Sequence, residues 1–186
     1  MANFEPVLSR NWNVPESHTL KVYESRGGYQ AARKALTSLD PDKVINLVKE
    51  SELRGRGGAG CHIGLNWKIL PKENTHKFMC INADESEPAT FNNRFLMELD
   101  PHQLIEGIAI ACFATKASTA HIYVRFEYIR AFRVLEQAIA EARAAGYLGR
   151  NILGSGFDLE IYVHRGAGAY ICGEETGLIE SLEGKR

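Results

Sequence analysis

A glycine-rich stretch with two arginines is the first segment of the sequence that could do chemistry. It reads RGRGGAGCHIG and runs from Arg54 to Gly64. Glycines let consecutive backbone N–H groups converge on an anion because no Cβ atoms stand in the way, and a helix that begins just afterwards adds a favourable dipole. The pattern favours a phosphate cradle, with Arg56 adding a charge-assisted hydrogen bond. On glycine content alone, an alternative stays open in which the glycines only allow a helix to pack closely against the sheet.

The glycine stretch matches neither of the common nucleotide-binding loops. A Walker loop ends in Gly-Lys-Ser/Thr, which this stretch lacks, and a Rossmann fingerprint follows a strand, whereas this stretch follows a predicted helix. A flexible linker would mix its glycines with serines and separate two domains. A nucleic-acid-binding tail would lie at a terminus with more basic residues and interleaved aromatic residues.

Two acidic loops carry the polar groups that would complete a nucleotide site. The segment NADESEP places Asn82, Asp84, Glu85 and Glu87 directly after a predicted strand, and CGEET adds two carboxylates at another strand-to-helix turn. Carboxylates and an amide can bind ligand hydroxyls, as a ribose or ribityl chain requires. A solvated acidic turn is the alternative, and the spacing does not match a calcium loop. One phosphate cradle with two acidic loops favours a flavin or nicotinamide nucleotide.

The predicted elements alternate between strands and helices, which would bring the acidic loops to one edge of a sheet. Helices are predicted in YQAARKALTS, DPDKVINLVKESEL and LNWKIL, with Asp40 as the N-cap of the second. From residue 76, the predicted order is HKFMCINA (strand), DPHQLIEGIAIACFATKA (helix), HIYVRF (strand), EYIRAFRVLEQAIAEARAAG (helix), FDLEIYVHR (strand) and a glycine turn with a helix in GAGAYICGEETGLIESLEG. This order predicts an α/β fold that is Rossmann-like, with a mainly parallel sheet and flanking helices. Parallel sheets bind ligands at the carboxyl ends of their strands, where both acidic loops lie.

The chain is predicted to contain one α/β domain preceded by an arm. Residues 1–29 have weak periodicity and carry two prolines and two glycines, so an extended N-terminal arm with little structure of its own is expected. Residues 30–186 are predicted to form the domain. A chain of 186 residues is long enough for one sizeable core with an appended arm.

Composition argues against several classes of function. The 22 basic and 23 acidic residues nearly cancel, so no global field points to nucleic acid or to an anionic membrane. No apolar run approaches the length of a transmembrane helix. The four cysteines are widely spaced without a C-x-x-C pair, which indicates reduced thiols in a cytoplasmic protein rather than a metal site.

Several long motifs, in order, resemble one family of proteins. The segments SELRGRGGAG, NADESEP, VHRGAGAYICGEET and SLEGKR are similar to the NADH-binding flavoprotein subunit of respiratory complex I, an NADH-quinone oxidoreductase. The segments EPVLSRNWNVPESHTL and GGYQAARKAL resemble the N-terminal stretch of the same subunit, so the likeness covers essentially the whole chain. The same core occurs in NAD-linked hydrogenases and formate dehydrogenases.

The resemblance implies a tightly held FMN that takes hydride from NADH and passes single electrons to iron–sulfur clusters. No catalytic acid or base is expected, because the flavin does the chemistry and the protein supplies geometry and field. The residues that the resemblance assigns to NADH are Glu87, Cys61 and Glu175. Those that it assigns to FMN are Gly55, Arg56, Gly57, Gly58, Asn66, Asn82, Asp84, Glu85, Tyr170, Gly173, Glu174 and Glu175.

Three departures from the usual family pattern fall on or near the expected ligand contacts. The family usually reads GGAGFPTGLKW where this chain reads GGAGCHIGLNW. Cys61 thus replaces a phenylalanine that resembles a stacking surface for NADH, and Asn66 replaces a lysine expected near the FMN phosphate. The segment FNNR stands where FKDR is usual, so Asn92 and Asn93 replace a Lys–Asp pair. The changes at positions 61 and 66 predict weaker binding of NADH and FMN.

The resemblance also implies that the chain is the N-terminal portion of a longer subunit. The family continues past SLEGKR into a ubiquitin-like domain and a helical domain whose cysteines bind a [4Fe–4S] cluster. The implied partners are other subunits of a multisubunit dehydrogenase, including an iron–sulfur subunit, which would hold the chain at the cytoplasmic side of the inner membrane without direct insertion. Two alternatives stay open, namely a diaphorase module of an NAD-linked hydrogenase or formate dehydrogenase, and a non-catalytic remnant or assembly module.

Overall fold

The sheet at the centre of the domain has three parallel strands in sequential order. The computed structural model describes residues 5–71 and 76–185. Strands Phe78–Ala83 (β1), Thr119–Val124 (β2) and Glu160–Arg165 (β3) pair in the order β1-β2-β3, so β2 is central. Both pairs are parallel and begin in register, with Phe78 opposite Thr119 and Thr119 opposite Glu160. The predicted α/β fold with a parallel sheet and flanking helices is confirmed.

The helices of the described residues lie before, between and after the strands. Their bounds are Leu20–Ser25 (α1), Gln30–Ser38 (α2), Pro41–Glu50 (α3), Ile63–Lys68 (α4), Asn92–Leu99 (α5), Pro101–Thr115 (α6), Ile129–Ala144 (α7) and Glu175–Leu182 (α8). Two short 3-10 helices span Ile152–Gly154 and Tyr170–Gly173. In the part of the chain that the structure describes, none of these helices has both the length and the apolar character needed to cross a membrane.

The two faces of the sheet are covered by different helices. On one face of β2, Ala120, Ile122 and Val124 are fully buried in the main core together with residues of α6 and α7. Right-handed connections between sequential parallel strands place both of these helices on the same side. On the opposite face, Tyr123 is fully buried against Cys172 and apolar side chains of α8. The second cluster attaches α8 to the sheet near the carboxyl ends of the strands.

Two Asp-Pro sequences that begin helices behave differently in the structure. Asp40 caps α3 as predicted, because its carboxylate accepts a hydrogen bond of 2.8 Å from the backbone N–H of Lys43. Asp100 precedes α6 in the same way but makes no such cap. It is fully buried, and its carboxylate accepts a hydrogen bond of 2.8 Å from the side-chain amide of Asn11. The aspartate of the same dipeptide therefore caps its own helix at Asp40 and makes a long-range hydrogen bond at Asp100.

The segment before α2 has more structure than the extended arm that the sequence predicts. Turns occupy most of residues 7–18, and α1 follows. The backbone N–H of Leu20 donates to the carboxylate of Glu141 at 2.9 Å, and Tyr23 is buried in the main core. The weak periodicity of this segment gives no local signal of structure. Its order comes from hydrogen bonds and burial against distant helices. The domain boundary at residue 29 stays a prediction.

A buried glutamate, Glu106, joins this segment and α2 to α6. Its carboxylate accepts hydrogen bonds of 2.9 Å from the backbone N–H groups of Tyr29 and Ala32, and a further one from the hydroxyl of Tyr23. Tyr29 is the N-cap of α2 with a φ of 60°, and its side chain makes no capping hydrogen bond. Glu106 therefore supplies the acceptor that the first turn of α2 lacks in its own sequence.

Candidate functional site

A cleft of about 550 Å³ lies at the carboxyl ends of the strands. Its volume falls within the range of about 300–1,000 Å³ that is usual for ligand sites. The glycine stretch, the loop after β1 and the turn after β3 converge on it, as the sequence predicts. The residues that line the cleft are Arg56, Gly57, Asn82, Asp84, Glu85, Ser86, Glu87, Thr90, Asn92, Asn93, Tyr170, Ile171, Gly173 and Glu174.

Nine of the residues that the resemblance assigns to FMN or NADH line this cleft, and five do not. Cys61 is exposed in the glycine stretch, Asn66 is exposed on α4, and Glu175 is the exposed first residue of α8. Gly55 and Gly58 belong to the same loop as Gly57 without lining the cleft. Lining the cleft is not a ligand contact, so ligand contacts at all fourteen assigned positions stay predictions.

The glycine stretch forms a loop that is closed at its base. Arg54 and His62 form an antiparallel bridge, and the backbone N–H of Gly55 donates to the carbonyl of Cys61 at 2.8 Å. The guanidinium of Arg56 donates to the carbonyl of Arg54 at 2.8 Å while lining the cleft. These contacts hold the loop in one place beside α4, although little of it is buried.

The glycines of this stretch serve two different purposes. A Cβ atom added to Gly57 or Gly58 would meet no atom within 4 Å, and Gly58 has a φ of 114° that favours glycine. A Cβ atom added to Gly64 would lie 2.4 Å from the backbone N and Cα of Lys49. Gly64 therefore allows close packing, but of α4 against helix α3 and not against the sheet, whereas Gly57 and Gly58 present bare backbone to open space.

Two polar residues of the cleft also hold its walls together. The side-chain amide of Asn82, near the end of β1, donates to the carbonyl of Gly173 at 2.7 Å, which joins β1 to the turn after β3. The carboxylate of Glu174 accepts hydrogen bonds from the backbone N–H groups of Thr176 and Gly177 at 3.0 and 3.1 Å, and so caps α8. Hydrogen bonds to this carboxylate, first that from the Thr176 hydroxyl, lower the pKa of Glu174.

The two acidic residues directly after β1 are buried. Asp84 is 7% exposed, and its carboxylate accepts a hydrogen bond of 3.0 Å from the hydroxyl of Ser86. Burial raises the pKa of Asp84, although the Ser86 hydrogen bond opposes the shift. Glu85 is 5% exposed and accepts hydrogen bonds from the backbone N–H groups of Asn93 and Arg94. A solvated acidic turn therefore does not describe these residues.

Glu87 and Tyr170 meet across the cleft. The hydroxyl of Tyr170 donates to the carboxylate of Glu87, and this hydrogen bond raises the pKa of Tyr170. Both side chains are exposed, Tyr170 to 61%. The contact brings together the loop after β1 and the turn after β3 at the surface.

Within residues 5–71 and 76–185, no group of three or more His, Cys, Asp or Glu side chains is arranged to hold a metal ion.

Comparison with known proteins identifies the family of the chain. Residues 48–186 match the family model described as the Nuo51 FMN-binding domain. The chain belongs to this FMN-binding family. It is 59% identical over 184 residues to the NADH-quinone oxidoreductase F subunit 2 of Rhizobium meliloti (strain 1021), covering 98% of this chain and 44% of that protein. It is 54% identical over 169 residues to the NADH-quinone oxidoreductase F subunit of Escherichia coli (strain K12), covering 90% of this chain and 38% of that protein.

Solved structures extend the likeness of this FMN-binding domain. The chain superimposes on an NAD⁺-reducing [NiFe]-hydrogenase in the air-oxidised state with a TM-score of 0.72 and 33% identity. That match covers 97% of this chain and 28% of the hydrogenase chain. The chain therefore spans about two fifths of the length of the curated relatives named above and a smaller share of the hydrogenase chain.

Sequence reasoning missed two residues of this FMN-binding domain that contact a cleft residue without lining the cleft. Tyr128 and Arg125 follow β2, and both contact Glu85, although neither lines the cleft. One signal could have indicated them. Side chains just past the central strand of a parallel sheet lie between the loops that follow its two neighbours. Within the cleft itself, five lining residues were not assigned to a ligand, namely Ser86, Thr90, Asn92, Asn93 and Ile171.

Proposed function

We propose that the chain is the FMN- and NADH-binding part of an NADH:quinone oxidoreductase and that the cleft holds the FMN. The observation that carries the proposal is the convergence of the glycine stretch and two acidic loops on one cleft, in a chain of the FMN-binding family. When bound, FMN supplies the chemistry by accepting hydride from NADH. The residues of the chain bind and orient the two nucleotides.

The residues of the cleft fit a phosphorylated polyol ligand. A Cβ atom added to Gly57 or Gly58 would meet no described atom within 4 Å, which leaves room for a phosphate there, and the Arg56 guanidinium adds a cation suited to a phosphate. Asp84 and Glu87 offer carboxylate oxygens to ligand hydroxyls. The hydrogen bond between Asn82 and Gly173 keeps the two acidic loops at a constant spacing. Orientation matters because hydride transfer needs reacting atoms about 3–3.5 Å apart.

Replacing Gly57 with valine is expected to weaken FMN binding at least about tenfold, because the side chain would occupy the surface proposed to meet the phosphate. The Cβ atom meets no protein atom within 4 Å, so stability should hardly change. Fluorescence titration of the purified chain with FMN measures the affinity.

Gly107→Val is the matched control for this change, since a Cβ atom there also meets no atom within 4 Å and Gly107 is exposed on α6. It should bind FMN like the wild type. Equal affinity of Gly57→Val and wild type would contradict the cradle. A wild-type chain that binds no FMN would contradict the proposed function and favour the remnant or assembly module.

Replacing Cys61 with phenylalanine is expected to lower the Michaelis constant for NADH about two- to tenfold. A flat, rigid aromatic face adds about 0.5–1.5 kcal/mol of stacking, which a cysteine cannot supply. Cys61 is exposed in the same loop as Gly57, which lines the cleft, so the larger side chain has room. A ferricyanide assay of the FMN-loaded protein measures the constant, with Cys80→Phe on β1 as the control. An unchanged constant would show that position 61 does not face the nicotinamide.

The proposed setting is a multisubunit dehydrogenase in which an iron–sulfur subunit takes the electrons. Association with such partners would place the chain at the membrane periphery without insertion of its own. A diaphorase module of an NAD-linked hydrogenase is the second candidate, supported by the likeness to the NAD⁺-reducing [NiFe]-hydrogenase. The identity of 54–59% to quinone oxidoreductase subunits against 33–35% to the hydrogenase chains favours the first candidate.

A further inference from the structure

We propose that Glu85 is a positioning residue that acts on the ligand through the first turn of α5, and that Tyr128 acts on the ligand through Glu85. The proposal rests on the proposed function of the cleft. It goes beyond that function because it gives a role to Tyr128, a residue outside the cleft wall.

Both carboxylate oxygens of Glu85 are engaged by α5. Oε1 accepts a hydrogen bond of 2.8 Å from the backbone N–H of Asn93, and Oε2 accepts one of 3.0 Å from the backbone N–H of Arg94. Phe91, the residue before the helix, makes no capping hydrogen bond with its side chain. Glu85 therefore caps α5 from outside the helix, and its negative charge also suits the positive end of the helix dipole.

Tyr128, which does not line the cleft, also contacts this carboxylate. Its hydroxyl donates to Oε2 of Glu85 at 3.2 Å, and the tyrosine is 8% exposed. The guanidinium carbons of Arg94 and Arg125 each lie 5.5 Å from the centroid of its ring. Arg125 also donates to the backbone carbonyl of Glu85 at 2.9 Å. These contacts fix the ring, the carboxylate and the backbone of the loop after β1 together.

The first turn of α5 is part of the cleft wall. Asn92 and Asn93 line it, and Thr90 lines it just before the helix. Any shift of this turn moves three polar residues that line the cleft. The amide of Asn93 and the carboxylate of Glu85 are joined directly, so a weaker cap lets the wall move. Tyr128 acts on this wall through its hydrogen bond to Glu85, although Tyr128 itself does not line the cleft.

Amide hydrogen exchange of the ligand-free chain tests the cap without any cofactor. In Glu85→Gln, an uncharged amide group replaces one of the two acceptor oxygens, so exchange at Asn93 and Arg94 should become at least about tenfold faster. Tyr128→Phe removes only a hydroxyl and should accelerate the same two amides by a smaller factor. Unchanged exchange in both variants would overturn the proposal, whether or not the chain binds FMN.

FMN titration of the two variants and their double variant tests transmission through Glu85. We expect Tyr128→Phe to weaken FMN binding about three- to tenfold in the wild-type background and by less than about twofold in the Glu85→Gln background. A merely structural role of the hydroxyl would give the same factor in both backgrounds. Equal factors would therefore overturn the proposal.

Tyr147 provides a matched control for loss of a buried tyrosine hydroxyl. It is also 8% exposed, and its hydroxyl donates to the carboxylate of Glu24 at 2.7 Å, away from the cleft. Tyr147→Phe should lower stability but leave both the α5 exchange and the FMN affinity at wild-type values. If Tyr147→Phe weakened FMN binding as much as Tyr128→Phe, general destabilisation would explain both and the proposal would fail. If wild type bound no FMN, the proposed function would fail, and the exchange measurement would still decide the role of Glu85.

Discussion

Replacing Glu106 with alanine is expected to lower the free energy of unfolding by about 3–5 kcal/mol, the largest single effect that the structure predicts. Glu106 is 7% exposed and accepts hydrogen bonds from two backbone N–H groups and the hydroxyl of Tyr23. Each buried donor that loses its acceptor costs about 1–3 kcal/mol. Three such losses would add to about 3–9 kcal/mol. Water that enters the space left by the side chain reduces this total, so a loss of about 3–5 kcal/mol is expected.

Urea unfolding monitored by circular dichroism measures this effect, and two further variants sharpen it. Glu106→Gln keeps one acceptor oxygen and should fall between alanine and the wild type. Glu136→Ala removes an exposed glutamate of α7 and should change stability by less than about 0.5 kcal/mol. If Glu106→Ala unfolded within about 1 kcal/mol of the Glu136→Ala control, the segment before α2 would not depend on this carboxylate.

Replacing Gly64 with alanine is expected to destabilise the chain by about 2–3 kcal/mol, because the added Cβ atom overpacks the contact between α4 and α3. The Cβ atom would lie 2.4 Å from two backbone atoms of Lys49, which no side-chain rotation can relieve. The helices must separate, and α4 begins next to His62, which closes the base of the glycine loop. FMN affinity should fall together with stability.

The control for Gly64→Ala is the same substitution at Gly107. Both residues lie in helices, but a Cβ atom on Gly107 meets nothing within 4 Å. Gly107→Ala should therefore raise the free energy of unfolding by about 0.5–1 kcal/mol, since glycine is unfavourable inside a helix. Thermal and urea unfolding of the pair measure both signs. Stabilisation by Gly64→Ala would mean that α4 does not pack against α3 at this point.

Three polar residues both line the cleft and stabilise the structure around it. Glu85 and Glu174 cap α5 and α8, and the Asn82 amide joins β1 to the turn after β3, while all three residues line the cleft. A ligand would meet a wall whose polar groups are already oriented by internal hydrogen bonds. Such preorganisation lowers the cost of ordering side chains on binding.

The sequence by itself determined the class of fold and the order of its elements. Apolar strands such as HKFMCINA and the long periodic helices between them are local patterns, and a helix or strand is largely decided by the spacing of its own residues. Asp40 is a cap in the sequence and in the structure because an N-cap needs only the next three residues. The family resemblance rests on several motifs that are themselves short runs of sequence, and it is confirmed.

The sequence predicted which segments form the site, but not what each of their residues does there. Because loops after parallel strands meet at one edge, NADESEP and CGEET could be expected to converge. Which residue faces the cleft depends on contacts between segments. Glu85 lines the cleft, and its oxygens also accept hydrogen bonds from amides eight and nine residues further on, a role that the sequence did not predict. Its contact with a ligand stays a prediction.

Only the tertiary structure decided which glycines pack and which stay open, and which buried acids act as anchors. Gly57 and Gly64 stand in one stretch, but the second is the one that meets Lys49. Glu106 reads as an ordinary residue of an apolar helix, and its donors lie 74 to 83 residues earlier in the chain. The physical reason is the same in each case: burial and hydrogen bonding between distant segments leave no periodic mark on the sequence around either partner.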